Sequence, residues 1–525
     1  MKVLVFKHTN KVENRANYLF FSEKILSFNE KIEPQNKKTL NMHLYEEASR
    51  CLFCADAPCS KACKHADPAR ALRAIRFGNE SLAGKWLENA SEAELEAAEQ
   101  ACIHYDRPIR IREIAKALPP ASQDNHRPSL AIDFCGIHCE NPFFLASSAI
   151  CTNYDMVARA FEAGWGGVYY KTICLEEIRE VSPRFDAIYD KGSHGDFFGF
   201  RNMEQLSENP VEVDFAFLKR LKQQYPGKVV IASIMGNSEN EWIELAKMAE
   251  EAGCDAVELN FSCPQMHYAG MGSDVGQDPE MVTFFTAYVK RSVKIPVIAK
   301  MTPNITHINT PAIGAYAGGA DAISAINTIK SVTLGKGSEV NGFQTGSGLS
   351  GRAVKPIALR HILAVAKTPM LKDAQLSGVG GIETWQDALD FIRMGCRNVQ
   401  ICTAVMQYGY RIIDDLIAGL EHYMAEKGVE KLEDLVGTLL PHFRLPSNLD
   451  RDSVVFPVID REKCIGCGRC YTSCTDGGHQ AISFGEDRKP HVDGSKCVGC
   501  LLCRLVCPVE AISPSKRVPK KGVSR

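Results

Sequence analysis

Asn240 to Asn260 reads NEWIELAKMAEEAGCDAVELN, and the fold turns on how this stretch is parsed. A helical pattern runs from Asn240 to Ala252, and Ala256 to Asn260 follows as a short strand ending on a polar residue. The same unit repeats in both directions along the chain. Candidate strands are Gly167 to Lys171, Val229 to Ile234, Ala256 to Asn260, Val297 to Lys300, Ala322 to Asn327, Leu376 to Val379 and Val399 to Cys402, with helical patterns between them. Repeated β-α units predict a parallel sheet, and about seven strands in roughly 310 residues favour an α/β fold of the (β/α)8 TIM-barrel type over a doubly wound sheet. No G-x-G-x-x-G joins a strand to a helix, so a Rossmann-type nicotinamide site is not expected.

Outside this region the composition changes. A chain of 525 residues predicts two or three domains. Residues 1–118 read as a small α-helical, cysteine-rich domain, with helix-like sequence from Ser91 to Leu118, and residues 119–129 read as a polar, proline-bearing linker. The barrel is expected over 130–440. Residues 441–525 form a second cysteine-rich module with a basic tail from Lys516. With 45% hydrophobic and 24% charged residues the chain has the balance of a soluble globular protein, and no apolar run is long enough to span a membrane. The apolar piece Val3 to Phe6 is followed by Lys7, Lys11, Glu13 and Arg15, so export is not expected. A net charge of -2 gives no electrostatic reason to bind nucleic acid or a membrane surface. The 21 cysteines cluster towards the two ends, which points to metal clusters in a reducing, cytoplasmic compartment and away from a disulfide lattice.

The C-terminal cysteines carry the most specific spacing. Cys464, Cys467, Cys470 and Cys474, then Cys497, Cys500, Cys503 and Cys507 before Pro508, spell C-x2-C-x2-C-x3-C twice, a ferredoxin-like module for two 4Fe-4S clusters. Each cluster takes three ligands from one run and a fourth from the other. That rule pairs Cys464, Cys467, Cys470 with Cys507, and Cys497, Cys500, Cys503 with Cys474. Zinc has no use for such a crossed set of eight.

Barrel active sites lie where strands end. Here those ends supply Lys171-Thr172, Asn260, Lys300, Asn327-Thr328, Gly380-Gly381 and Thr403-Ala404. The last two loops are small enough for a backbone phosphate cradle, and two lysines could balance a reduced anionic ring, so flavin mononucleotide is expected. The loop Asn260-Phe261-Ser262-Cys263-Pro264, followed by Gly270, Gly272 and Gly276, places a thiol where it could act as an acid beside that ring. Cys135, Cys139, Cys151, Cys174, Cys254, Cys396 and Cys402 read as core or stray thiols.

Further stretches add a family resemblance. Ala163-Gly164-Trp165-Gly166, Val181-Ser182-Pro183-Arg184, Asn202-Met203-Glu204, Asn260 to Pro264, Gly276-Gln277-Asp278-Pro279-Glu280, Lys300-Met301-Thr302-Pro303-Asn304 and Lys355 to Arg360 resemble the flavin and iron-sulfur subunits of the dihydropyrimidine dehydrogenase family. The resemblance implies a flavin held by Ser147, Lys171, Thr172, Lys300, Gly351, Gly380, Gly381, Thr403 and Ala404. It implies a pyrimidine bound by Asn202, Asn260, Ser262, Asn327 and Thr328, with Cys263 as proton donor to C5 while hydride reaches C6 of uracil or thymine.

Glu46 to Cys54, with Cys59 and Cys63, resembles the helical iron-sulfur domain of the same family and of glutamate synthase small subunits, and Cys102 with Pro108 to Ile111 is similar to its end. The family domain carries two clusters. Here the intervening cysteines are missing, so one cluster is expected, on Cys51, Cys54, Cys59 and either Cys102, by family analogy, or Cys63, by proximity. The family's FAD and nicotinamide part is not found, so electrons are expected from a separate FAD- and NAD(P)H-binding subunit or a ferredoxin, and an oligomer is expected. The competing readings are a dihydroorotate dehydrogenase-like enzyme and an electron-transfer or interaction protein on an inactive barrel.

Overall fold

In the computed structural model the described residues are 42–119, 126–189, 197–264, 266, 271–334, 339–340 and 342–520. The N-terminal apolar piece, most of the expected linker, Gly270 and the end of the basic tail lie outside them. The chain divides into two compact units between Leu440 and Pro441.

The first unit is built on a closed, all-parallel barrel of eight strands: β1 (Phe143–Leu145), β2 (Gly167–Tyr169), β3 (Val229–Ile234), β4 (Ala256–Asn260), β5 (Val297–Met301), β6 (Ala322–Ala325), β7 (Gln375–Val379) and β8 (Cys396–Ile401), with β8 closing on β1. Seven coincide with the expected strands and β1 is the addition. β2 ends before Lys171, β6 before Asn327 and β8 before Cys402, so Lys171, Thr172, Asn327, Thr328 and Thr403 stand beyond the ladder, where the backbone is free to turn over the barrel mouth. The helix expected over Asn240 to Ala252 forms as Glu239–Glu251, capped by the Ser238 side chain accepting from the Glu241 amide.

The strands are buried throughout, but the barrel interior is not purely apolar. Tyr169, Ser233, Glu258, Ser324, Ser377, Asn398 and Gln400 are all sealed inside. Gln400 Nε2 donates to Ser324 Oγ and Ser377 Oγ at 2.8 Å each, and Tyr169 Oη donates to Ser377 Oγ at 3.1 Å. Burying polar groups is tolerable only with such pairing.

A four-stranded antiparallel sheet, in the order Ile329–Ser331, Ser347–Ser350, Phe197–Asn202, Phe185–Tyr189, is assembled from the loops after β2 and β6. Arg201 pins it from the inside, donating to Ser347 Oγ at 2.5 Å, Thr345 O at 2.6 Å and Thr333 Oγ1 at 3.1 Å.

The helices Met42–Ser49, Pro68–Arg76, Glu80–Leu87, Glu92–Gln100 and Ile111–Ala117 pack around a small core that includes Leu44, Leu72, Ile75, Leu95 and Ile114. The helix-like stretch from Ser91 to Leu118 is therefore two helices, split by the segment that carries Cys102 and Pro108, whose ring cannot continue a helix. Helix Pro68–Arg76 docks on the barrel unit. Arg73 Nε meets Asp415 Oδ2 at 2.5 Å, Asn79 Nδ2 donates to Asp415 O at 2.7 Å, and Phe77 is buried with the barrel's own core. No helix among the described residues is long and apolar enough to cross a membrane.

The second unit consists of two-stranded antiparallel ribbons and the short helices Arg469–Gly477 and Leu502–Leu505 around Cys470, Ile482, Cys503 and Ile512. Its two halves repeat one another in backbone conformation. Gly466 and Gly468 have positive φ after Cys464, and Gly499 and Leu501 have it after Cys497.

Candidate active site and cluster nests

The loops beyond the C-terminal strand ends enclose one cavity. Ser147, Lys171, Thr172, Asn202, Asn260, Cys263, Lys300, Asn327, Thr328, Gly351, Gly380, Gly381, Thr403 and Ala404 all line it. Ser262 does not. It is fully buried behind the wall, where its Oγ donates to Asn260 Oδ1 at 2.7 Å and accepts from Asn327 Nδ2 at 2.9 Å. Asn260 Nδ2 in turn donates to Thr172 Oγ1 at 3.0 Å, and Thr172 Oγ1 bonds Ser147 Oγ at 3.1 Å and Ser233 Oγ at 3.0 Å. Two amides are thus held in fixed orientation, which leaves one N–H of Asn260 and one acceptor position on Asn327 Oδ1 for a planar polar ring.

Both lysines are buried, 4% exposed each, and each has an acid. Lys171 Nζ lies 3.0 Å from Glu204 Oε2, and Arg184 reaches the other oxygen of that carboxylate at 3.3 Å. Lys300 Nζ lies 3.6 Å from Glu258 Oε1 and donates to Gln400 Oε1 at 3.4 Å. In the same cavity wall, Gly351 and the pair Gly380-Gly381 bring two stretches of backbone together. Gly381 has φ +76°, and a Cβ there would stand 2.7 Å from Lys355 N and 2.9 Å from Gly351 O. Space closed to even a methyl group, beside Thr403 and Ala404, suits a phosphate approached by backbone. Lys355 itself turns away, its Nζ held by Asp387 and Asp390. Two buried cations and a glycine cradle in one cavity fit flavin mononucleotide.

Cys263 is 6% exposed on the cavity wall. Its carbonyl accepts from Ser273 N at 3.0 Å, so the loop returns onto it. Gly272, at φ +59°, makes that return possible, since a Cβ would sit 2.4 Å from Cys263 O. Glu204, from the quoted stretch Asn202-Met203-Glu204, also lines the cavity and was not singled out in the sequence. Cys402, read as a stray thiol, is in the wall as well, and burial pushes it up to about 11. Phe185, Phe197, Leu349 and Ser350 reach the cavity from the antiparallel sheet, which had no signature in the sequence.

In the second unit, one small cavity is lined by Cys464, Cys467, Cys470 and Cys507, and a second by Cys474, Cys497, Cys500 and Cys503. These are the two crossed sets. Backbone amides of Ala481 and Ala511 donate to the crossing sulfurs, Cys474 Sγ at 3.4 Å and Cys507 Sγ at 3.3 Å. In the helical region the thiol of Cys51 is pushed up to about 12, by burial and then by Cys59, Cys54 and Cys102, and Cys54 and Cys59 each feel Cys102 as well. These four are neighbours. Cys63 faces Glu94 and Asp67 instead, its Sγ 3.5 Å from Glu94 O. Cys63 Sγ also lies 3.6 Å from Cys59 O, so both Cys102 and Cys63 border the other three.

Comparison with known proteins follows this architecture. Residues 129–424 match the dihydroorotate dehydrogenase family, and residues 457–513 match the 4Fe-4S dicluster domain. The chain is 50% identical over 400 residues to the NAD-dependent dihydropyrimidine dehydrogenase subunit PreA of Escherichia coli K12, covering 75% of this chain and 97% of that one. It is 38% identical over 346 residues to the chloroplastic dihydropyrimidine dehydrogenase (NADP(+)) of Arabidopsis thaliana, covering 63% and 81%. To the catalytic subunit of dihydroorotate dehydrogenase B (NAD(+)) of Thermococcus kodakarensis it is 36% identical over 319 residues, covering 59% and 98%. Among solved structures, the dihydroorotate dehydrogenase of Eimeria tenella in complex with ferulenol superposes with a TM-score of 0.51 at 18% identity, covering 62% of this chain and 92% of that one, and so shares the fold.

Proposed function

The chain belongs to the family of NAD-dependent dihydropyrimidine dehydrogenase subunits and is an oxidoreductase, and from that premise we propose that it reduces the 5,6 double bond of uracil or thymine. One observation carries the reading: Thr172, Asn260 and Asn327, linked through the buried Ser262, line one cavity with Cys263 and two buried lysines. Amide side chains offer both donor and acceptor to the alternating carbonyl and N-H edge of a pyrimidine. Asn202, Asn260, Asn327 and Thr328 hold the base, with Ser262 fixing two of those amides from behind.

Lys171, Lys300, Ser147 and Thr172 would hold the ring of a flavin mononucleotide, and Gly351, Gly380, Gly381, Thr403 and Ala404 its phosphate. Bound there, that cofactor would supply the hydride for C6. Cys263 gives its proton to C5 from a loop held in place by the return through Ser273, as a general acid must be positioned to do. The crossed C-terminal cysteine sets would hold two 4Fe-4S clusters, and Cys51, Cys54, Cys59 and Cys102 a third, which would carry electrons from a separate FAD- and NAD(P)H-binding subunit or a ferredoxin. Their thiolates suit the reducing cytoplasm.

The test is anaerobic. Photoreduced protein is mixed separately with uracil, thymine and orotate, and flavin reoxidation is followed in wild type and Cys263→Ala. Reoxidation by uracil or thymine, slowed about a hundredfold or more in the variant as for loss of a general acid, is the expected result. Reoxidation by orotate alone would transfer the assignment to dihydroorotate chemistry, the reading that the match over residues 129–424 favours. No response to any base would leave an electron carrier.

A further inference from the structure

Glu258 and Asn260 are two residues apart on β4, so both side chains point into the barrel, with Glu258 one step deeper. Glu258 is fully buried. Its Oε1 accepts from Ser233 Oγ at 3.1 Å and lies 3.6 Å from Lys300 Nζ, and its Oε2 has no hydrogen-bond partner. A buried acid in this position is costly unless it serves a cation, and the roles assigned to the cavity leave it without a task. The two cavity lysines differ in this respect. Lys171 takes its acid from the cavity wall, shared with Arg184, whereas Lys300 takes its acid from inside the barrel.

We propose that Glu258 is the positioning residue of Lys300, a counter-ion sealed in the barrel that holds the ammonium charged and aimed at the flavin ring. The inference rests on the flavin reading above. Other titratable groups near the pair are Tyr169, which feels Glu258, Cys151 and Cys402, which feel Lys300, and, on the same cavity wall, Lys171 with Glu204, Cys263, Glu383 and Arg352. Burial raises the Tyr169 hydroxyl well above its usual range, with Glu258 adding to the effect, and pushes the Cys151 and Cys402 thiols up to about 12 and 11. The phenol and both thiols are therefore neutral near pH 8, and the carboxyl group within ion-pair distance of Lys300 Nζ is that of Glu258.

In Glu258→Gln the shape of the site is kept and the charge is lost. A buried ammonium without a counter-ion gives up its proton. Two-electron reduction of the bound flavin to its anion takes up one proton in the wild type; in the variant Lys300 takes up a second, to pair with the negative ring. One proton per two electrons corresponds to about 30 mV per pH unit, and two protons to about 60 mV.

The flavin midpoint potential of the purified holoenzyme, followed at the flavin absorbance between about pH 6.5 and 9.5, reads this directly. Glu258→Gln should double the slope, and Glu258→Gln/Lys300→Met should restore the wild-type slope. An unchanged slope in flavin-bound Glu258→Gln overturns the inference, and so does a steep slope that survives in the double variant. Should Glu258→Gln not fold, thermal melting tests the pair in the other order. Lys300→Met strands the buried acid, and adding Glu258→Gln should recover melting temperature; no recovery overturns the pairing. Protein that binds no flavin would instead bring down the functional reading itself.

Discussion

Ser262 shows how a residue can matter to binding without touching the ligand. Its hydroxyl is both donor to Asn260 Oδ1 and acceptor from Asn327 Nδ2, so it decides which face of each amide is turned to the cavity. Ser262→Ala removes two buried hydrogen bonds, about 2 kcal/mol together and roughly thirtyfold in kcat/KM. The loss should fall on KM for the pyrimidine, with kcat changed much less, because the amides bind the base and the thiol of Cys263 is untouched. Steady-state kinetics with uracil would show it, and an equal loss in kcat would mean that the amides act in the chemical step. The motif around Cys263 exposed this serine to sequence reading. Its place behind the wall was not legible, since a side chain's direction in a loop has no period to follow.

At the scale of elements, the phosphate cradle depends on backbone that cannot tolerate a side chain. Gly381→Ala adds a methyl group against Lys355 N and Gly351 O at a positive φ, so the loop must move. Purified Gly381→Ala should hold little flavin, measured by its absorbance against protein, while far-UV circular dichroism stays that of the wild type. A second element stands on Glu94, which closes a capping box with Ser91 and also accepts from the amides of Lys64 and His65. Those bonds lower its carboxyl to about 2, the Ser91 and Lys64 amides first. Since the folded value lies below the ordinary one, the stabilisation is complete above about pH 4.5 and is lost as pH falls towards 2. The melting temperatures of wild type and Glu94→Gln should therefore differ at pH 6 and converge on acidification towards about pH 3. Elements of this kind were unequally visible in the sequence. β3 and β4, VVIASI and AVELN, short β-branched or apolar-rich runs buried at every position, declared themselves. β1 has three residues and no periodicity to measure, and the antiparallel sheet pairs Phe197–Asn202 with Ser347–Ser350 across well over a hundred intervening residues.

At the scale of the molecule, the helical region is part of the barrel unit and not an appendage to it. Phe77 is buried in the barrel's core and meets Tyr408 edge-on at 5.4 Å, while Arg76 Nη2 donates to the Tyr408 hydroxyl at 2.8 Å. Tyr408 ends the short helix that begins at Thr403, and Arg411 Nη2, just beyond it, donates to Phe53 O beside Cys54 at 2.6 Å. The cysteine nest and the phosphate cradle are thus fastened to opposite ends of one turn-and-a-half of helix. None of this could be read beforehand, because the contacting residues are more than three hundred positions apart and each looks like an ordinary surface or core residue alone. Phe77→Ala leaves a cavity at that junction and should cost about 3 to 5 kcal/mol of unfolding free energy. If the helical region were merely tethered, the barrel would not feel the change and flavin would be retained through the same denaturant concentration as in wild type. Fastened as it is, Phe77→Ala should release flavin at a lower urea concentration, in step with loss of tryptophan fluorescence from Trp165 and Trp242, which lie in the barrel core.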